Sequence, residues 1–129
     1  MKRDGYRVLV AEDVYAYRHA IVQLMETMGL TCVAVEDGLD AVALLEDQSQ
    51  AFDLVVTDFR MPRGGGWRVI EAARKHRGAE FPVIMQTGES QYSDVYERAE
   101  ELSVPLIAKA DLFTLLVPAV RRALHLESG

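Results

Sequence analysis

The sequence is short of almost every feature that marks a specialised class of protein. One cysteine in 129 residues, Cys32, leaves no internal disulfide to form, which sets aside the disulfide-stapled secreted scaffolds. No apolar run approaches the ~20 residues of a membrane-crossing helix. Charged residues stand at the N-terminus, where a signal peptide would carry its apolar core. Nine glycines and four prolines are too few for collagen-like or low-complexity material. Basic residues are outnumbered 14 to 20, for a net charge of −6, so a phosphate backbone would meet net repulsion unless the cations were tightly segregated. These shortages argue against a membrane and against nucleic acid as direct partners, and they make the cytoplasm the expected location.

What is present is ordinary globular sequence, half hydrophobic and a quarter charged. A chain of this length buries about two thirds of its unfolded surface and can fold alone. Five short apolar runs rich in β-branched residues, at 7–11, 32–35, 54–57, 83–86 and 105–108, read as buried strands. Between them apolar residues recur at helical spacing: Ile21, Leu24, Met25 and Met28, then Leu39, Val42 and Leu45, then Val95, Ala99 and Leu102. Gly29 fits the end of the first helix. Strands alternating with helices imply right-handed βαβ crossovers and a parallel sheet covered on both faces. The expected fold is α/β, a doubly wound (βα)5 of flavodoxin-like type, with a five-stranded parallel sheet in the order 2-1-3-4-5. The fifth helix is expected after Asp111, a candidate N-cap, with Leu112, Leu116, Val120 and Leu124 inward. Pro118 falls inside it and predicts a kink or a late start. Residues 1–129 show no repeat, linker or second composition zone. A single domain is expected, with its core at about 7–126 and frayed ends up to about Tyr6 and from Glu127.

In a doubly wound sheet, ligands bind beyond the carboxyl ends of the strands, where the strand order reverses. The first strand runs into Glu12-Asp13, the third into Asp58, the fourth into Gln86-Thr87-Gly88 and the fifth into Lys109. Three carboxylates then share one cleft and repel one another unless a cation intervenes. Oxygen ligands without His or Cys favour Mg²⁺, which fills its remaining positions with water and phosphate. A lysine and a threonine hydroxyl at neighbouring strand ends suit the oxygens of a phosphoryl group.

These residues resemble the receiver domain of two-component response regulators, including the single-domain chemotaxis type. The match spans about 7–126 and rests on Glu12-Asp13 with Arg18, Asp37-Gly38 with Ala41, Asp58 followed by Met61-Pro62 and a glycine run, Thr87-Gly88, and Lys109. The resemblance implies that Asp58 takes a phosphoryl group from a phosphohistidine on a sensor kinase or histidine phosphotransfer protein. It implies that Glu12, Asp13, Asp58 and the backbone carbonyl of Arg60 hold Mg²⁺, and that Thr87 follows the phosphoryl group while Lys109 pairs with it. It further implies that the output is altered contact with a downstream protein, and that the only reactions catalysed are the domain's own phosphorylation and dephosphorylation. The chain departs from the family pattern at Ala110, where proline usually follows the lysine, and at Leu106, where an aromatic ring usually swings with the threonine. Arg60, Glu89 and Gly88 also differ from the commoner choices.

Two other classes share parts of this chemistry. A Mg²⁺-dependent phosphohydrolase with an aspartyl-phosphate would place an acid two residues after Asp58, where Arg60 stands. A receiver-like scaffold would bind its partner whatever its phosphorylation state, a reading motivated by Leu106 and Ala110. The remaining features read as structural. Gly64-Gly65-Gly66 lacks a Walker lysine and GxGxxG spacing and is expected to be a flexible loop. His19, His76 and His125 share no metal-ligand spacing, Cys32 reads as core filler, and Arg121-Arg122 suit the end of a helix. Tyr92 and Tyr96, expected on the fourth helix, are either partner contacts or plain exposed aromatics.

Overall fold

The structure, a computed structural model, describes residues 5–126. Five strands, β1 (Arg7–Ala11), β2 (Thr31–Val35), β3 (Leu54–Asp58), β4 (Val83–Thr87) and β5 (Leu106–Ala108), alternate with α1 (Tyr15–Thr27), α2 (Gly38–Glu46), α3 (Gly66–Arg77), α4 (Asp94–Glu101) and α5 (Leu112–Ala123). All pairings are parallel, in the order β2-β1-β3-β4-β5. The expected (βα)5 topology and strand order are therefore met, and each strand lies within one residue of its expected bounds.

Alternation along the central strands explains why their sequences are continuously apolar. Val8, Val10, Leu54, Val56 and Ile84 pack on one face against Ile21 and Met25 of α1 and Leu112, Leu116 and Val120 of α5. Leu9, Ala11, Val55 and Met85 pack on the other against Ala41, Val69, Ala73, Val95 and Ala99 of α2, α3 and α4. Full burial of each large side chain contributes about 1.5–3 kcal/mol. At the carboxyl edge the same strands end in buried polar residues, Glu12, Asp58, Gln86 and Thr87.

The helix ends refine several expectations. Gly29, at φ 82°, follows the last residue of α1's cap, as expected. Tyr6 is not frayed, because its carbonyl accepts from the Thr31 N–H at 3.0 Å; residues 1–4 and 127–129 lie outside the described residues. Asp111 precedes α5 but its side chain makes no capping bond. The helix neither starts late nor breaks, running through Pro118 to Ala123. Pro118 is exposed, so the carbonyl of Thr114 that loses its helical partner faces the solvent side. Tyr92, 88% exposed, sits in the turn before α4, and only Tyr96 lies on that helix.

The glycine run is a packed joint rather than the flexible loop expected. A Cβ on Gly66 would lie 2.5 Å from Met85 Sδ and 2.7 Å from the Asp58 carbonyl oxygen. A Cβ on Gly38, at the start of α2, would meet the Gly64 carbonyl oxygen at 1.9 Å. Asp37 caps α2 by accepting from the Asp40 N–H at 2.8 Å and is bridged by Arg63 Nε at 2.8 Å. The Asp40 N–H and the Arg63 guanidinium together hold the Asp37 carboxyl below its usual range. The loop that carries Asp58 into α3 is thereby fixed against the neighbouring helix.

Candidate functional site: a carboxylate cluster with one lysine

Glu12, Asp13 and Asp58 come together at the carboxyl edge between β1 and β3, each offering a carboxylate oxygen within 4.8 Å of the others. Among the described residues no other group of three His, Cys, Asp or Glu side chains is so arranged. Glu12 is wholly buried, and its Oε2 accepts from the Val14 N–H at 3.1 Å. Asp58 Oδ1 accepts from the Phe59 N–H at 2.8 Å. Lys109, carried just past β5, places Nζ 3.0 Å from Asp58 Oδ2 and 3.4 Å from Glu12 Oε1. The face of Tyr17 lies 4.5 Å from the same ammonium. Arg18 donates to the carbonyls of Glu12 at 2.9 Å and Asp13 at 3.3 Å, which fixes the loop after β1.

The charges of this cluster do not balance. Burial pushes the Glu12 carboxyl up to about 7, opposed by the Val14 N–H and reinforced by the Asp58 charge. Burial works against the charge of Lys109 too, yet its hydrogen bond to Asp58 and the charges of Asp58 and Glu12 outweigh it and raise the lysine above its usual value. Three carboxylates facing one lysine leave excess negative charge that a hard cation can neutralise. The donor set is all oxygen and fits Mg²⁺ rather than a softer metal.

The other residues singled out in the sequence fall around this centre. Thr87 is buried at the end of β4, where its hydroxyl accepts from the Glu89 N–H at 2.9 Å. Arg60 Nε reaches Glu89 Oε2 at 2.8 Å, bridging the loops after β3 and β4. Leu106 is half-buried and packs against the α2–α4 face of the core. No peptide bond among the described residues is cis, so Ala110 follows Lys109 through a trans bond. Cys32 is half-buried against the other core face, and burial pushes its thiol up to about 11. His76 pairs with Glu46 at 3.7 Å, away from the cluster.

Two residues went unassigned in the sequence reading. Gln86, fully buried beside Asp58 in the β3–β4 register, donates from Nε2 to Glu12 Oε1 at 3.2 Å. Its signal was a lone amide closing an otherwise apolar strand. Tyr17 left no signal, since an aromatic on an amphipathic helix is ordinarily core.

The fold and the site together define a class, a five-stranded doubly wound α/β domain with three carboxylates and a lysine gathered at the carboxyl ends of its strands. The family described as the response regulator receiver domain matches residues 8–116, and the chain belongs to that family: it is a receiver domain of the two-component type. The chemotaxis protein CheY of Pseudomonas aeruginosa is 32% identical over 96 residues, covering 73% of this chain and 76% of that protein. The regulator of RpoS from Escherichia coli is 31% identical over 91 residues, covering 70% of this chain, which spans only 26% of that longer protein. Among solved structures, the fold is similar to the receiver domain of the sensor histidine kinase PA1611 from Pseudomonas aeruginosa, which holds a magnesium ion in its active-site cleft. The TM-score is 0.80 at 24% identity, covering 94% of this chain and 98% of that one. The response regulator protein TrrA of Thermotoga maritima, solved with Mg²⁺ and BeF, aligns with a TM-score of 0.75 at 24% identity over 92% and 98% of the two chains. At these identities the solved structures speak to the fold alone.

Proposed function

We propose that this chain is a phosphoacceptor receiver, one unit with its core at about residues 7–126, in which Asp58 accepts a phosphoryl group from a phosphohistidine. The observation that carries the reading is the position of the Asp58 carboxylate, clustered with two further carboxylates within 4.8 Å and bonded by the Lys109 ammonium at 3.0 Å. Glu12, Asp13, Asp58 and the Arg60 carbonyl would hold Mg²⁺. When bound, the metal supplies charge neutralisation for the carboxylates and for the incoming phosphoryl oxygens. The Asp58 carboxylate attacks phosphorus, the P–N bond breaks, and the imidazole departs with the bonding electrons, leaving an acyl phosphate. The Phe59 N–H holds Asp58 Oδ1 during this step. Lys109 shifts from the free carboxylate to a phosphoryl oxygen. The Thr87 hydroxyl, now an acceptor for Glu89 N–H, retains its own proton to donate to another.

The donor is a sensor histidine kinase or a histidine phosphotransfer protein, and the product acts through a protein partner. This fits an acidic chain with no helix among the described residues long and apolar enough to cross a membrane, and the site of action is the cytoplasm. Receiver domains generally signal rather than turn over external substrates, and the absence of an acid at Arg60 argues against a phosphohydrolase. A second reading, binding independent of phosphorylation, is motivated by Leu106 and Ala110, which stand where the family usually has an aromatic ring and a proline. Incubation with acetyl phosphate and Mg²⁺, read by intact mass, separates the two. The wild type should gain one phosphoryl group and Asp58→Asn none. Full labelling of the variant would remove Asp58 from the mechanism, and no labelling of the wild type would favour the scaffold.

A further inference from the structure

Among the described residues Gln86 is the one wholly buried neutral amide at the carboxyl edge of the sheet, and its carbonyl oxygen makes no hydrogen bond. Nε2 donates to Glu12 Oε1 at 3.2 Å, while Oε1 is buried with no partner. With Glu12 ionised, the reverse amide orientation would set two acceptors face to face at that distance, so the donor points at Glu12. A buried carbonyl without a donor is costly, and an apolar side chain would fill the place without that cost. A purely structural account of Gln86 is therefore poor.

The bond it makes is informative. Glu12 Oε2 is held by the Val14 N–H, and Oε1 is shared between Gln86 Nε2 and Lys109 Nζ. Lys109 is also the cation bonded to Asp58 Oδ2. If Lys109 turns to a phosphoryl oxygen on Asp58, Glu12 Oε1 keeps a donor only because Gln86 is present.

We propose that Gln86 is a positioning residue for the phosphoacceptor site: it locks the plane of the Glu12 carboxylate for Mg²⁺ and keeps Glu12 Oε1 satisfied when Lys109 leaves it. The proposal rests on the phosphoacceptor reading of the site. It acts through Glu12, and Gln86 touches neither the phosphoryl group nor the attacking oxygen.

Mg²⁺ titration followed by NMR tests it in the wild type, Gln86→Met, Glu12→Gln and the double variant, with urea unfolding of each as the measure of folding. Gln86→Met should bind Mg²⁺ roughly tenfold more weakly, while its urea midpoint stays level or rises because the orphaned carbonyl is gone. The same substitution in the Glu12→Gln background should cost nothing further. Unchanged Mg²⁺ affinity in Gln86→Met, or an equal loss in both backgrounds, overturns the proposal. Absence of Mg²⁺ binding by the wild type removes the site reading and the proposal together. A readout free of variants comes from the wild type, where the Gln86 amide protons should remain protected from exchange after Mg²⁺ and beryllofluoride are added. Free exchange of those protons would overturn the proposal even if the methionine variant failed to fold.

Discussion

Glu12 is the residue whose chemistry the fold changes most. Its folded pKa is about 7 against an ordinary value of 4.5, burial being the main cause. For an acid raised in this way the stabilising contribution is complete below the unfolded value and is lost as the pH rises through the folded one. Metal-free protein should therefore lose stability between pH 4.5 and about 7, and Glu12→Gln should flatten that slope. Asp37, Asp47 and Glu89 are held low and lose their contributions only at more acid pH, so the window is clear of them. Urea midpoints across the window check this, and a flat profile in the metal-free wild type would contradict it. Arg60 and Glu89 act differently. Arg60 is largely exposed and Glu89 partly so, and their bridge contributes little to stability; because it spans the loops that frame Asp58, it would hinder water from reaching an acyl phosphate there. The double variant Arg60→Ala/Glu89→Ala should lose its phosphoryl group faster than the wild type. Equal or slower decay of labelled protein would reject that role.

At the scale of elements, β3 and its loop into α3 are pinned by close backbone approach, whereas the loop into α4 is less crowded at its start. The Asp58 carbonyl sits against Gly66, where a methyl group would approach to 2.7 Å. Gly66→Ala should destabilise by roughly 1–3 kcal/mol, because Met85 can give way and the backbone cannot; an unchanged urea midpoint would show that the joint relaxes. Gly88, by contrast, has open space around its Cβ position. Leu106 has no ring to swing into space vacated by Thr87, so the difference between its rotamers depends weakly on the state of Asp58, and a modification shifts an equilibrium only by such a difference. Hydrogen exchange with and without beryllofluoride should change strongly at residues 88–94 and little along 112–124. Comparable changes along α5 would mean that another residue has taken over the aromatic's part.

For the molecule as a whole, the acidic cluster is a local defect in an otherwise well-packed fold, and a divalent cation should relieve it. Ligand that binds only the native state adds RT ln(1 + [L]/Kd), about 2.7 kcal/mol at a hundredfold excess over Kd. Mg²⁺ should raise the melting temperature of the wild type and not of Asp13→Asn. No shift in the former, or an equal shift in the latter, would remove the metal site. The net charge of −6 makes the sign of this effect general, but the carboxylates drawn within 4.8 Å make it local to the site.

Strand positions and topology were legible in the sequence because every central strand is buried on both faces and so reads as an unbroken apolar run ending in a polar residue. Asp58, Lys109 and Glu12-Asp13 were legible for the same reason, since each interrupts or ends such a run. Tertiary packing decided what the local pattern leaves open. The glycine run reads as flexible by composition, yet it is held rigid by the backbone of α2 and the side chain of Met85 lying against it. Pro118 reads as a helix breaker, yet it faces outward where its missing bond is tolerated. The partners of Gln86 and Tyr17 are 74 residues away in sequence for the first and on another element for the second. Such contacts exist only once the sheet has brought its strand ends together, because side-chain partners are chosen by distance in space and not along the chain.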